Sequence, residues 1–191
     1  MPTTSPGRVL IPKAQILARV GEIGRRLSAD LEAELAREGL RPDKHPDRIV
    51  MVPILTGAVI FVADLIREMP LMLSMRVVTV SSYPGRSTLS KGAAIRGALP
   101  DDLAGRHVVV VDDILDTGQT LALVRDLILE QKPASLRICA FLRKEVKRAR
   151  EVELDYFGFD IPDEFVVGYG LDYNGLYRNV PDIVALAPEL R

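Results

Sequence analysis

Apolar residues follow two rhythms along the chain. Ile16, Leu17, Val20, Ile23, Leu27, Leu31 and Leu35 recur three or four positions apart, which predicts an amphipathic helix that Gly39 brings to an end. Further on, the apolar positions become contiguous. RIVMVPIL from Arg48, SMRVVTVSSY from Ser74, RHVVVVDD from Arg106 and SLRICAFL from Ser135 are short runs rich in β-branched residues, and they read as strands. Helical patterns from about Gly57 to Met69 and from about Gln119 to Gln131 fall between them. Strands that alternate with helices predict an α/β fold, a mostly parallel twisted sheet flanked by helices, and Val108 to Val111 fit a central strand buried on both faces. The segment from Pro84 to Gly105 has no apolar period and many Gly, Ser and Pro residues, so it reads as a long functional or mobile loop.

Size and composition narrow the picture. A chain of 191 residues, 48% of them hydrophobic, fills one core, so a single domain is expected. Basic and acidic residues number 25 and 26, for a net charge of -1, which exerts no long-range pull on nucleic acid or anionic lipid. Any phosphate is therefore held locally. The one cysteine, Cys139, lies in the apolar run LRICAFL and reads as a core residue. No run reaches the roughly 18 to 20 apolar residues of a membrane span, and MPTTSPGRVLIPK lacks the apolar core of a secretory signal, so a cytoplasmic protein without membrane partners is expected. His45, in a polar turn, and His107, at a strand entrance, are isolated and read as surface residues, not zinc ligands.

Chemistry in such a sheet belongs at the carboxyl ends of the strands, where the connections diverge. Two stretches reach that edge. In PILTGA, Thr56 and Gly57 open a helix; in DDILDTGQT, Thr117 to Thr120 open another, whose first N–H groups and hydroxyls suit a phosphate. Two anion sites at one edge imply a ligand with phosphates at both ends. Asp112, Asp113 and Asp116 only accept hydrogen bonds when ionised, so their partners are hydroxyls, protons on a reacting ring, or a metal. Adjacent Asp112 and Asp113 suit a vicinal diol, and Asp116 faces whatever the sugar carries. No G-x-G-x-x-G follows a strand and no G-x-x-x-x-G-K-[ST] occurs, which argues against a dinucleotide oxidoreductase and an ATPase.

These residues carry a resemblance. VVVVDDILDTGQTL resembles the signature for 5-phosphoribosyl 1-pyrophosphate (PRPP) in type I phosphoribosyltransferases. ILTGAVIFVADLIR, SSY, the lysine of FLRK and YFGFDIPDEFVVGYGLDYNGLYRNVP resemble, in the same order, the hypoxanthine(-guanine) branch, from about Arg48 to Val184. The resemblance implies the type I fold, with a small hood over the sheet's C-terminal edge. Residues 1–47 would supply the N-terminal helix and a hood-forming segment, and 48–191 the core with a C-terminal purine-binding segment, all one domain. Asp112 and Asp113 would hold the ribose hydroxyls, Asp116 would accept a proton near N7 of the purine, and Thr117, Gly118, Gln119 and Thr120 would bind the 5-phosphate. Leu55, Thr56, Gly57 and Arg178 would face the pyrophosphate. Lys144 would donate to O6, Phe165 would stack on the base, and Val166 would read its edge through the main chain. Asp172, with Asp112 and Asp113, would hold Mg²⁺, and Ser82 and Tyr83 would begin a loop that closes over the site.

Under that resemblance the expected reaction joins PRPP to hypoxanthine, and to guanine, in purine salvage. The alternatives are a phosphoribosyltransferase for xanthine or another 6-oxopurine, since Lys144 does not report on C2, and a regulatory protein on the same fold that senses PRPP or a nucleotide, which the near-neutral charge disfavours as an RNA binder. The expected assembly is a homo-oligomer, dimer or tetramer. Seven of the ten aromatic residues fall between Tyr156 and Tyr177, where stacking on a flat base would use one of them. Thr56 departs from the pattern, because relatives often carry Lys or Arg between the leucine and glycine of this loop. The resemblance implies a non-proline cis peptide between Leu55 and Thr56, which would leave backbone N–H groups to bind pyrophosphate.

Overall fold

Strands and helices alternate as the apolar pattern predicts, with extra strands at the margins. The computed structural model describes residues 6–82, 93–96 and 99–190. In chain order its elements are β1 (Gly7–Ile11), α1 (Lys13–Arg37), β2 (Ile49–Leu55), α2 (Val59–Arg67), β3 (Ser74–Met75), β4 (Val78–Ser82) and β5 (Ala93–Arg96). There follow β6 (His107–Leu115), α3 (Gln119–Glu130), β7 (Ser135–Lys144), β8 (Tyr156–Ile161), β9 (Val166–Val167) and β10 (Ile183–Leu186). The main sheet runs β5-β4-β2-β6-β7-β8, with β3 also on β2. Its pairings are parallel except β4 with β5. A second, antiparallel sheet, β1-β10-β9, forms the hood.

Alternation along β6 sends successive valines to opposite faces. Val109 and Val111 pack with the predicted stripe of α1 and with Phe61 and Leu65 of α2, whereas Val108 and Val110 pack with Leu121, Val124 and Ile128 of α3. Ile16, Leu27, Leu31 and Leu35 are fully buried, each worth about 1.5–3 kcal/mol relative to exposure. Cys139 is buried in the same core, and burial pushes its thiol far up, away from nucleophilic chemistry.

Two expectations need correction. The Pro84–Gly105 segment contains a strand among its described residues, β5, which pairs antiparallel with β4. Its four residues, AAIR, are too few to show a period. His107 is not at the surface: it is 2% exposed. It begins a strand paired on both edges, and the end of α1 covers it, so its Nδ1 lies 2.9 Å from Ser135 Oγ and its two ring nitrogens lie 3.1 Å from Glu34 and Glu38. Burial alone would raise the Glu34 carboxyl, but the Arg137 guanidinium and the Ser135 hydroxyl outweigh it and hold it below its ordinary value.

Candidate active site

β2 leads across to β4 in one direction and β6 to β7 in the other, so the connections diverge between the carboxyl ends of β2 and β6. A cavity of about 490 Å³ opens there. Leu55, Thr56 and Gly57 enter it from the end of β2, and the Leu55–Thr56 peptide is cis. Asp112, Asp113 and Asp116 enter it from β6 and the turn that follows, Thr117, Gly118 and Thr120 from the start of α3, and Asp172 and Arg178 from the segment before β10. Gln119 is the first residue of α3 but does not line the cavity. Val80 and Ile114 line it too, and sequence reasoning missed both. For Ile114 a signal existed, since it shares the strand face of Asp112 two residues away.

Close approach explains two glycines. A Cβ on Gly57 would sit 1.7 Å from Asp113 Oδ2, so the Asp113 carboxylate occupies the space a side chain would take. Gly118 has φ +78, a left-handed turn that delivers the chain into α3, and a Cβ there would sit 2.0 Å from the Arg150 carbonyl oxygen. Neither α2 nor α3 has a side-chain cap or an acidic residue in its first turn. The first N–H groups of α3 thus remain available to anions at the positive end of its dipole, while at α2 the Val59 N–H already donates to the Thr56 carbonyl at 3.1 Å and only the N–H groups beside it remain.

Asp112 lies 6% exposed on the central strand, and its Oδ1 accepts from the Asp113 backbone N–H at 3.0 Å. Burial, followed by the neighbouring Asp113 charge, pushes the Asp112 carboxyl well above the usual carboxylate range. Burial also raises Asp113. The pair is therefore short of positive charge and of donors, which polyol hydroxyls or a hard cation would provide. Among the described residues no group of three or more His, Cys, Asp and Glu side chains could hold a metal by itself. Mg²⁺ commonly takes one or two carboxylates together with substrate phosphates, so these acidic side chains fit it. Asp172 is already occupied: its Oδ1 lies 2.6 Å from the Arg178 guanidinium, and its Oδ2 accepts from Gly175 N–H at 2.7 Å. Arg178 also donates to the Gly170 carbonyl at 2.6 Å.

The residues predicted to bind a base lie to one side. Lys144 ends β7, and its ammonium is 3.5 Å from Asp116 Oδ2 and 3.4 Å from Asp163 Oδ1. Phe165 is exposed and meets Tyr173 edge-on, ring centroids 5.4 Å apart, while Val166 opens β9 and pairs with Ala185. None of Lys144, Phe165 and Val166 lines the cavity; Lys144 opens onto a separate one of about 330 Å³ with Arg143, Arg148 and Asp160. Ser82 ends β4, and Tyr83 lies outside the described residues. The site thus combines acceptors for hydroxyls, donors for anions at two helix ends, and a cation beside a carboxylate. Among the described residues no helix is long and apolar enough to cross a membrane.

Known proteins resemble this chain in sequence and in fold. A family model described as the phosphoribosyl transferase domain matches residues 19–174. Hypoxanthine phosphoribosyltransferase of Haemophilus influenzae is 39% identical over 172 residues, which cover 90% of each chain. Hypoxanthine-guanine phosphoribosyltransferase of Mycobacterium avium is 40% identical over 183 residues, 95% of this chain and 86% of that one. Among solved structures, the hypoxanthine phosphoribosyltransferase from Trypanosoma cruzi, in complex with the product IMP, matches with a TM-score of 0.83 and 33% identity, covering 96% of both chains.

Proposed function

This chain belongs to the phosphoribosyl transferase family, and we propose that it transfers the 5-phosphoribosyl group of PRPP to hypoxanthine and guanine, releasing pyrophosphate. One observation carries the reading: Asp116 lines one cavity with Asp112, Asp113 and the starts of two uncapped helices, and the Lys144 ammonium stands 3.5 Å from its Oδ2 at the cavity's margin.

In this reading Asp112 and Asp113 accept the ribose hydroxyls, and Thr117 to Thr120 hold the 5-phosphate through the start of α3. Pyrophosphate lies along Leu55 to Gly57, and Arg178 turns from Asp172 toward it. Displacement at the anomeric carbon develops oxocarbenium character, so charge must be neutralised at the leaving group and maintained on the attacking ring nitrogen. Asp112, Asp113 and Asp172 would hold Mg²⁺, which when bound offsets charge on the departing pyrophosphate. Asp116 accepts the proton from the purine near N7. Lys144 donates to O6, which selects 6-oxopurines, since the amino group of adenine would set donor against donor. Phe165 offers its exposed face to the base, and Val166 reads the base edge through its main chain.

The reading is tested by a PRPP- and Mg²⁺-dependent assay on hypoxanthine, guanine, xanthine and adenine. Nucleotide from hypoxanthine and guanine, with none from adenine, supports it; product from xanthine alone would shift the assignment to C2-oxidised bases. No product from any of the four would favour a PRPP-binding regulator. We further propose a homo-oligomer, dimer or tetramer, which light scattering on the purified protein would test.

A further inference from the structure

Lys144 is shared between two acids. Its side chain is only 11% exposed, and its ammonium stands 3.4 Å from Asp163 and 3.5 Å from Asp116, too far for a tight pair with either. Asp163 belongs to the turn that follows β8, and β8 lies beside β7 with Ile161 opposite Lys144. The Glu145 backbone N–H donates to the Ile161 carbonyl at 3.0 Å, so the two strand ends are also tied through the main chain. Glu164, next along, pairs with Arg8 of β1 at 2.7 Å, and Phe165 follows at once. The turn is thus tethered on one side to the core sheet through Lys144 and on the other to the hood.

We infer that Asp163 is a positioning residue for base recognition: it draws the Lys144 ammonium away from Asp116 and so leaves Lys144 free to donate to the base and Asp116 free to accept from it. Without Asp163 the ammonium has one acidic partner left and closes on Asp116, removing one donor and one acceptor from the base site together. This inference rests on the proposed role of Lys144 toward O6. Asp163 is 70% exposed, so its replacement leaves packing intact.

The test is steady-state kinetics on Asp163→Asn, Lys144→Ala and the double variant, with Asp163→Glu as the conservative control. Asp163→Asn should raise the KM for hypoxanthine about fivefold, near the upper end for an ion pair with one exposed partner, while the KM for PRPP changes by less than about twofold. Asp163→Glu should restore most of the loss. In the Lys144→Ala background Asp163→Asn should add nothing, because its effect runs through that ammonium. An equal rise in both KM values, an undiminished effect in the Lys144→Ala background, or no effect at all would overturn the positioning role while leaving the base-binding role of Lys144 standing. If Lys144→Ala leaves the KM for hypoxanthine unchanged, the base-binding reading fails first and the positioning role with it.

Discussion

Gly57→Ala should disable the site while leaving the fold intact. The new Cβ would fall 1.7 Å from Asp113 Oδ2 and 2.4 Å from its Cγ, whereas ordinary contact begins near 3.4 Å. The carboxylate must therefore retreat by about 1.7 Å, the difference between these distances. It can do so by rotating, because it is the end of a side chain, and the cost to folding is correspondingly small. The cost to function is not, since a 1 Å misplacement at a reacting site is worth about a hundredfold. A loss of roughly a hundredfold in kcat/KM for PRPP, about 2.7 kcal/mol, is expected, with the melting temperature within a few degrees of the parent. A double-mutant cycle with Asp113→Ala separates this from a general disturbance of the loop. If the alanine methyl acts by displacing the carboxylate, Gly57→Ala adds less than about 0.5 kcal/mol once the carboxylate is gone. Activity within threefold of the parent, or full additivity in the cycle, would refute the argument.

Asp116→Asn should lower kcat by about 10²-fold or more and leave PRPP binding unchanged, because the amide keeps the shape and loses the basic oxygen; initial rates and equilibrium binding read the two separately. Thr56→Ala should change kcat/KM by no more than about threefold, roughly 0.65 kcal/mol, if the loop works through its backbone; a hundredfold loss would assign the hydroxyl to pyrophosphate or its metal. Asp112→Asn should raise the melting temperature of the ligand-free protein at pH 7 while raising the KM for PRPP. The Asp112 carboxyl titrates above its ordinary 3.8 when folded, so its destabilising effect is absent below that pH and grows as pH rises toward the folded value. Each kcal/mol relieved is worth about 2–4 °C in a chain of this size, and thermal melts from pH 3.5 to 7 should show the gain appearing with pH.

The sheet and its cavity were legible because their signals are local. The apolar run Val108 to Val111 leads straight into Asp112, Asp113 and Asp116 and then into the Thr117–Gly118 turn, so one stretch of chain declares both a central strand and the chemistry at its end. The stripe on α1 is equally self-contained, though Leu17, which fits its spacing, is exposed. What stayed hidden depends on partners distant in the chain. β1, β9 and β10 contain five, two and four residues, too short for a period, and they exist as strands because they pair with one another. His107 is buried by the end of α1, which nothing in its own neighbourhood announces. The hold of Asp163 on Lys144 likewise depends on β8 lying beside β7, and the capture of Asp172 by Arg178 on how the hood segment curls back.

The hood also imposes an order of events on a chain made from one end to the other. β1 finds its partner only when β10 has emerged, and the two meet closely enough for the Ala187 backbone N–H to donate to the Pro6 carbonyl at 3.1 Å. Loop closure of that span carries the highest entropic cost in the molecule, while β2, β6 and α3 can assemble much earlier during synthesis. On the ribosome, the part of the cavity built on β2, β6 and the start of α3 takes shape before Asp172 and Arg178, on the segment leading into β10, can join it. Until that segment arrives the cavity lacks its Asp172–Arg178 ion pair, so the last strand to be made closes a site that β2 and β6 opened.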